Sequence, residues 1–182
     1  RQTIQFINTL KMNKYRADLH IHTVLSPCGS LEMSPVKIIE KACEKGLDII
    51  GITDHNSTRH CKLISKLGET AGIFVLMGAE VTTREEVHCL SFFENDDQLS
   101  EFQTYLELHL PPIPNNTEKF GYQVVVDADE HILDEIEFLL ISALDQSIDQ
   151  VEQKVHSLGG IFIPAHIDRP SYSITSQLGF IP

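Results

Sequence analysis

His20 and His22 stand two residues apart in the stretch DLHIHT, residues 18–23. On a strand such residues project from one face, so the two imidazoles form a pair able to grip a single cation. Four later stretches carry side chains of the same chemistry. They are Asp54 and His55 in GITDHN, Glu80 after the apolar FVLMGA, His88 in EVHCL, and His166 with Asp168 in IPAHID. Imidazole and carboxylate together make the donor set of zinc, iron and manganese sites. Taken singly, each group has an ordinary reading. The His20/His22 pair reads as core histidines, Asp54-His55 as a helix cap, and His88 or His166 as surface strand positions. An unpaired carboxylate at Glu80 would be costly to bury, so a metal or a buried cation is expected beside it.

These stretches need elements to position them, and the pattern of apolar residues supplies strands alternating with helices. RADLHIHT reads as a first, buried strand, and SPVKIIEKACEKG as a helix with Ser34 as its cap, Pro35 at its first position and Gly46 as its stop. LDIIGITDH has the look of a strand buried on both faces, followed by a helix ending at Gly72. IFVLMGAEVT and EVHCLSFF are the next strands, and a helix is expected around 96–109. QVVVDADEHIL reads as a strand and turn. Ser147 and Gln150 have capping-box spacing before a helix that Gly159-Gly160 ends, and IFIPAHID is a last strand. The alternation predicts a mainly parallel α/β sheet or barrel, in which strand ends converge on one rim. Each metal-competent group falls at such a strand end.

Composition sets the outer bounds. The 182 residues are 42% hydrophobic and 22% charged, ordinary values for one globular domain. No apolar run approaches the ~20 residues of a bilayer span, and no stretch resembles a signal peptide, so no membrane partner and a cytoplasmic location are expected. The four cysteines form no C-x-x-C pair. Cys43, Cys61 and Cys89 read as small core residues, and His60, His109, His131 and His156 as ordinary surface residues. The net charge of −12, without a Lys/Arg cluster, predicts no extended nucleic-acid groove. Bound metal ions would still let an acidic protein hold a phosphate locally.

Read together and in order, DLHIHT, GITDHN, a strand-end Glu followed by VHCL, and IPAHID resemble the successive motifs of the polymerase and histidinol phosphatase (PHP) domain. The resemblance covers residues 17–170 and is strongest to the small stand-alone phosphoesterases. It implies a distorted seven-stranded β/α barrel over 16–182, with residues 1–15 as an extension and an irregular insertion around 94–137. Met12, followed by polar residues, reads as a natural start, with the residues before it as an extension. The resemblance also implies two or three divalent ions (manganese, zinc or iron) at the carboxyl ends of the strands. Carried over by motif, His20 and His22 are first-metal ligands, and Glu80 bridges the first and second metals. His88 and His166 serve the second, His55 a third, and Asp54 is a supporting or weakly coordinating member of the catalytic set. Arg169 is placed as a substrate-phosphate holder by position alone.

The implied function is metal-dependent hydrolysis of a phosphomonoester of a small molecule or nucleotide, by attack of a metal-bridged hydroxide. Two departures stand beside it. Where relatives have a His or Asp soon after H-x-H, this chain has LSPCGS, so Cys28 is either a thiolate ligand favouring zinc or iron, or a bystander. The family's closing Asp-x-His pair is missing, and the natural protein is expected to continue past Pro182. Competing readings are a non-catalytic PHP-like regulatory or scaffold module, and a metal-dependent hydrolase of another bond.

Overall fold

The computed structural model describes residues 13–30 and 32–181. The expected extension over 1–15, including Met12, lies almost wholly outside them. In chain order the elements are β1 (Ala17–Ile21), α1 (Pro35–Lys45), β2 (Ile49–Ile52), α2 (Cys61–Ala71), β3 (Phe74–Thr82), β4 (His88–Phe93) and α3 (Asp96–His109). Then follow α4 (Thr117–Phe120), β5 (Val124–Val126), β6 (Ile132–Glu135), α5 (Ile148–Ser157), β7 (Ile161–Pro164) and α6 (Ile174–Leu178). No helix among the described residues is long and apolar enough to cross a membrane.

The helices start and stop where local chemistry dictates. Ser34 caps α1 by accepting from the Lys37 amide, Pro35 occupies the first turn, and Gly46 ends it at φ 61°. Ser147 and Gln150 form the capping box of α5. Ile38, Ile39 and Ala42 of α1, Ile64 of α2 and Val151 and Val155 of α5 face one core. Along β3 the alternation is clean. Val75, Met77, Ala79 and Val81 enter that helix-covered core, while Leu76 packs on the other face with Leu90, Phe92 and Ala165. Glu80 shares the second face by the period of two. Gly78 shares it too, and there a Cβ would lie 2.2 Å from the Ser91 carbonyl, so the close approach of β4 requires glycine.

Five strands form one sheet in the order β1-β2-β3-β4-β7, and β5 and β6 form a separate antiparallel pair. The sheet is mostly parallel in strand direction, as expected, with β4 as the one reversed strand. β1, β2 and β3 run parallel, but β4 is antiparallel to β3 and β7 antiparallel to β4. The chain between β3 and β4 is a short turn, with the Thr83 amide bonded to the Val87 carbonyl. No crossover helix separates them, and a tight turn allows only antiparallel pairing. β1 is not the buried strand expected: it lies at the sheet edge with Ala17, Asp18 and Leu19 exposed.

Seven strands are present among the described residues, and their pairings leave β1 and β7 as the two edges. The two edges nevertheless come together at one end: the rings of His20, on β1, and His166, just after β7, stack 5.9 Å apart. The stretch 94–137 divides in two. Helix α3 buries Leu99, Phe102 and Leu106 in the main core, whereas the β5–β6 pair packs through Val124 and Val126 against Val24 in the loop after β1.

Candidate metal centre

Strand ends and the loops beside them bring five imidazoles to one carboxylate. Glu80 is 2% exposed. Its Oε1 lies 3.1 Å from His20 Nε2, 3.1 Å from His88 Nδ1 and 3.2 Å from His166 Nε2. Its Oε2 lies 3.1 Å from His22 Nε2 and 3.5 Å from His55 Nδ1. His88 opens β4 rather than closing it, and reaches the same rim because β4 runs antiparallel to β3. The other four stand on or just beyond the carboxyl ends of β1, β2 and β7.

A carboxylate offers about four lone-pair directions, and here five ring nitrogens compete for them. His55 Nδ1, His88 Nε2 and His166 Nδ1 are buried without a hydrogen-bond partner. Proton placement makes the mismatch explicit at His22. The hydroxyl of Ser26 gives its one proton to Asp54 Oδ1 at 2.6 Å, so toward His22 Nδ1, 3.1 Å away, it can only accept. That puts the His22 proton on Nδ1 and leaves the Nε2 lone pair facing a carboxylate oxygen. Two lone pairs at that distance need a cation between them, or a second proton on the ring.

The electrostatics follow. Hydrogen bonds from His20, His22 and His88 hold the Glu80 carboxyl well below the usual carboxylate range, although burial alone would raise it. Burial works against a charged His22, yet its pairing with Cys28 and Glu80 outweighs this and raises it to about 10. Burial pushes His55 down to about 3, with neighbouring imidazoles acting in the same direction. A neutral His55 keeps the lone pair that a metal requires.

Divalent ions fit this donor set. His20, His22 and Glu80 offer ligand atoms that all lie within 4.8 Å of one another, as do His55, Glu80 and His88, and as do His22, Cys28 and His55. The structure thus gathers all seven residues placed as ligands from the sequence into one cluster, Cys28 included. Cys28 is exposed, as is Cys43, which was expected in the core; Cys61 and Cys89 are buried.

Asp54 sits elsewhere. Its Oδ1 accepts from the Thr23 amide and Ser26 hydroxyl, and its Oδ2 from the Thr23 hydroxyl at 2.8 Å. These partners use the carboxylate on the loop behind the imidazoles rather than in the cluster. Arg169 is exposed and lies on the loop after His166, whose pKa is lowered by burial, with the guanidinium among the charges that push it the same way. Tyr172 closes that loop at φ 56°, its ring stacked on His88 with centroids 4.8 Å apart.

The sequence reading missed Thr23, Ser26 and His60. His60, expected at the surface, is 1% exposed. Only the run of capping-type residues ahead of an apolar helix marked its neighbourhood. Its partner, the Val126 amide, is 66 residues away.

A family model for the PHP domain matches residues 18–169, and the chain belongs to that family. It is 36% identical over 91 residues to the uncharacterised protein MJ1587 of Methanocaldococcus jannaschii, a match covering 45% of this chain and 52% of that protein. The chain therefore spans about half the length of that relative. Among solved structures, a protein assigned as a metal-dependent phosphoesterase from Bifidobacterium adolescentis superposes with TM-score 0.61 at 20% identity, covering 87% of this chain and 69% of that one. Endonuclease Q of Pyrococcus furiosus, a lesion-specific endonuclease, gives TM-score 0.59 at 20% identity, covering 92% and 40%. These likenesses show the shared fold. One of them overturns an expectation. Endonuclease Q has been solved with a 27-mer duplex carrying an abasic lesion at its active site, so a protein of this fold takes duplex DNA and the expectation of no extended nucleic-acid groove does not stand.

Proposed function

We propose that this chain is a metal-dependent phosphoesterase of the PHP family. The observation that carries the proposal is the convergence of five imidazoles on one buried carboxylate, with three ring nitrogens left without partners. In this reading His20, His22 and Glu80 would hold one divalent ion, Glu80, His88 and His166 a second, and His55 with Cys28 a third. Such ions supply a nucleophile at neutral pH from water and positive charge for the phosphoryl oxygens. The chain's own residues bind and orient. Glu80 fixes the spacing between neighbouring sites, the neutral His55 presents a lone pair, and Arg169 at the exposed mouth pairs with a substrate phosphate.

Phosphomonoesters of small molecules or nucleotides are the proposed substrates. The test is phosphate release from histidinol phosphate, a nucleoside 3′,5′-bisphosphate and a 5′-phosphorylated oligonucleotide, with an abasic duplex assayed for strand cleavage. The natural chain is assayed with Mn²⁺, with chelator, and as Glu80→Gln. Release that needs metal and is lost in Glu80→Gln is the expected result. Cleavage of the duplex alone would move the substrate class to nucleic-acid phosphodiesters. No reaction with any phosphate ester, despite bound metal, would overturn the proposal.

A further inference from the structure

Thr23, Ser26, Asp54 and His60 form a buried polar cluster behind the metal centre, each at most 1% exposed. Its protons can be placed in only one order. The Val126 amide of β5 is a donor only, and it meets His60 Nε2 at 2.9 Å, so that nitrogen must carry the lone pair. The Asp54 carboxylate is an acceptor only, and it takes the Thr23 hydroxyl proton. Thr23 Oγ1 must then accept from His60 Nδ1, which lies 2.7 Å away. His60 is therefore a neutral imidazole protonated on Nδ1, fixed at both nitrogens.

The far side of Asp54 leads to the ligands. Ser26 donates to Asp54, and its hydroxyl oxygen also receives the His55 amide at 3.1 Å and faces His22 Nδ1 at the same distance. Thr23 and Ser26 close the turn between them through the Ser26 amide and Thr23 carbonyl. One end of the chain is thus the β5–β6 pair, and the other is the His22 imidazole and the backbone of His55.

We propose that His60 is a positioning residue of the metal centre, coupling the docked β5–β6 pair to His22 and His55 through Thr23, Asp54 and Ser26. Its two nitrogens have separable duties. Nδ1–H holds the Thr23 hydroxyl toward Asp54, and Nε2 receives the hairpin. Ser26 is the partner one step behind His22, and losing a partner in that position costs about 10–100-fold in metal affinity. His60 acts on it through Thr23 and Asp54, so its loss is expected at the lower end of that range. The inference rests on the reading of the cluster as a metal centre.

The test substitutes the ring by side chains that keep one duty each. Asparagine places its amide N–H near the position of Nδ1, glutamine places its carbonyl near Nε2, and leucine keeps neither. Zn²⁺ and Mn²⁺ affinities of the full chain are measured by calorimetry, with folding of each variant followed by circular dichroism. His60→Asn is expected to match the parent, while His60→Gln and His60→Leu lose about tenfold, the lower end for a partner one step nearer. Imidazole ¹⁵N shifts of the parent should show His60 neutral with its proton on Nδ1. Parent-like affinity in all three folded variants overturns the inference and leaves the metal centre standing, and the opposite tautomer also overturns it. A parent that binds no metal overturns the reading of the centre itself. Should His60→Leu fail to fold, the Asn/Gln difference carries the comparison.

Discussion

Two carboxylates lie buried 26 residues apart in this chain, and they are surrounded in opposite ways. Asp54 has donors only: an amide and two hydroxyls at 2.6–2.8 Å. Glu80 has five imidazoles, which supply both donors and lone pairs, and three nitrogens in that shell have no partner. A carboxylate whose acceptors are all met by fixed donors is a structural tie, complete in itself. One ringed by lone pairs is arranged for charge that arrives from outside. The fully satisfied group thus supports the under-satisfied one.

The largest effect is expected at Glu80. Glu80→Gln removes the charge but keeps the shape, so metal uptake should fall to background and phosphate release to the level of the chelated control. Retained metal stoichiometry would erase the distinction between the two carboxylates. At Asp54 the same exchange should act on stability first. In Asp54→Asn an amide N–H faces donors, costing about 1–3 kcal/mol for each one left unsatisfied, and urea denaturation should show the loss. If Asp54→Asn were neutral in stability and silent in metal affinity, the tie would have no role.

The pH dependence of the metal-free protein sharpens the contrast. His22 is raised from 6.5 to about 10. Its contribution is therefore fully present below about pH 6.5 and lost as pH rises through about 10. Metal-free protein should be easier to denature at pH 9 than at pH 6. Zinc should reduce that difference, because a bound ion takes the place of the second proton on His22. At Cys28 the expected change is in selectivity. Cys28→Ser should weaken zinc binding by about tenfold relative to manganese, as measured by competition, because thiolate favours the softer ion. The smallest effect is expected at exposed His131 and His156, where alanine should change stability by no more than about 0.5 kcal/mol.

Much of the Glu80 cluster was legible in the sequence because its parts are written locally. H-x-H places two imidazoles on one face whatever the fold, and a carboxylate at the end of an apolar run announces a cost that something must offset. Strand and helix order was legible for the same reason, from apolar periodicity and from capping residues such as Ser34 and Ser147. The direction of β4 was not read, since periodicity is the same in parallel and antiparallel strands. The Asp54 cluster was hidden more deeply. Thr23, Ser26 and His60 are polar residues near loops, and a pattern of hydrophobic spacing reports only apolar burial.

The sequence by itself determined which groups could bind metal, and the alternation that puts Glu80 on the face away from the helices. Tertiary structure decided that five imidazoles share one carboxylate, that Cys28 joins His22 and His55, and that His60 is interior rather than surface. The physical reason is range. Side-chain type and strand period are local properties, whereas the proton order through His60 depends on the Val126 amide, which only the folded chain brings within 2.9 Å.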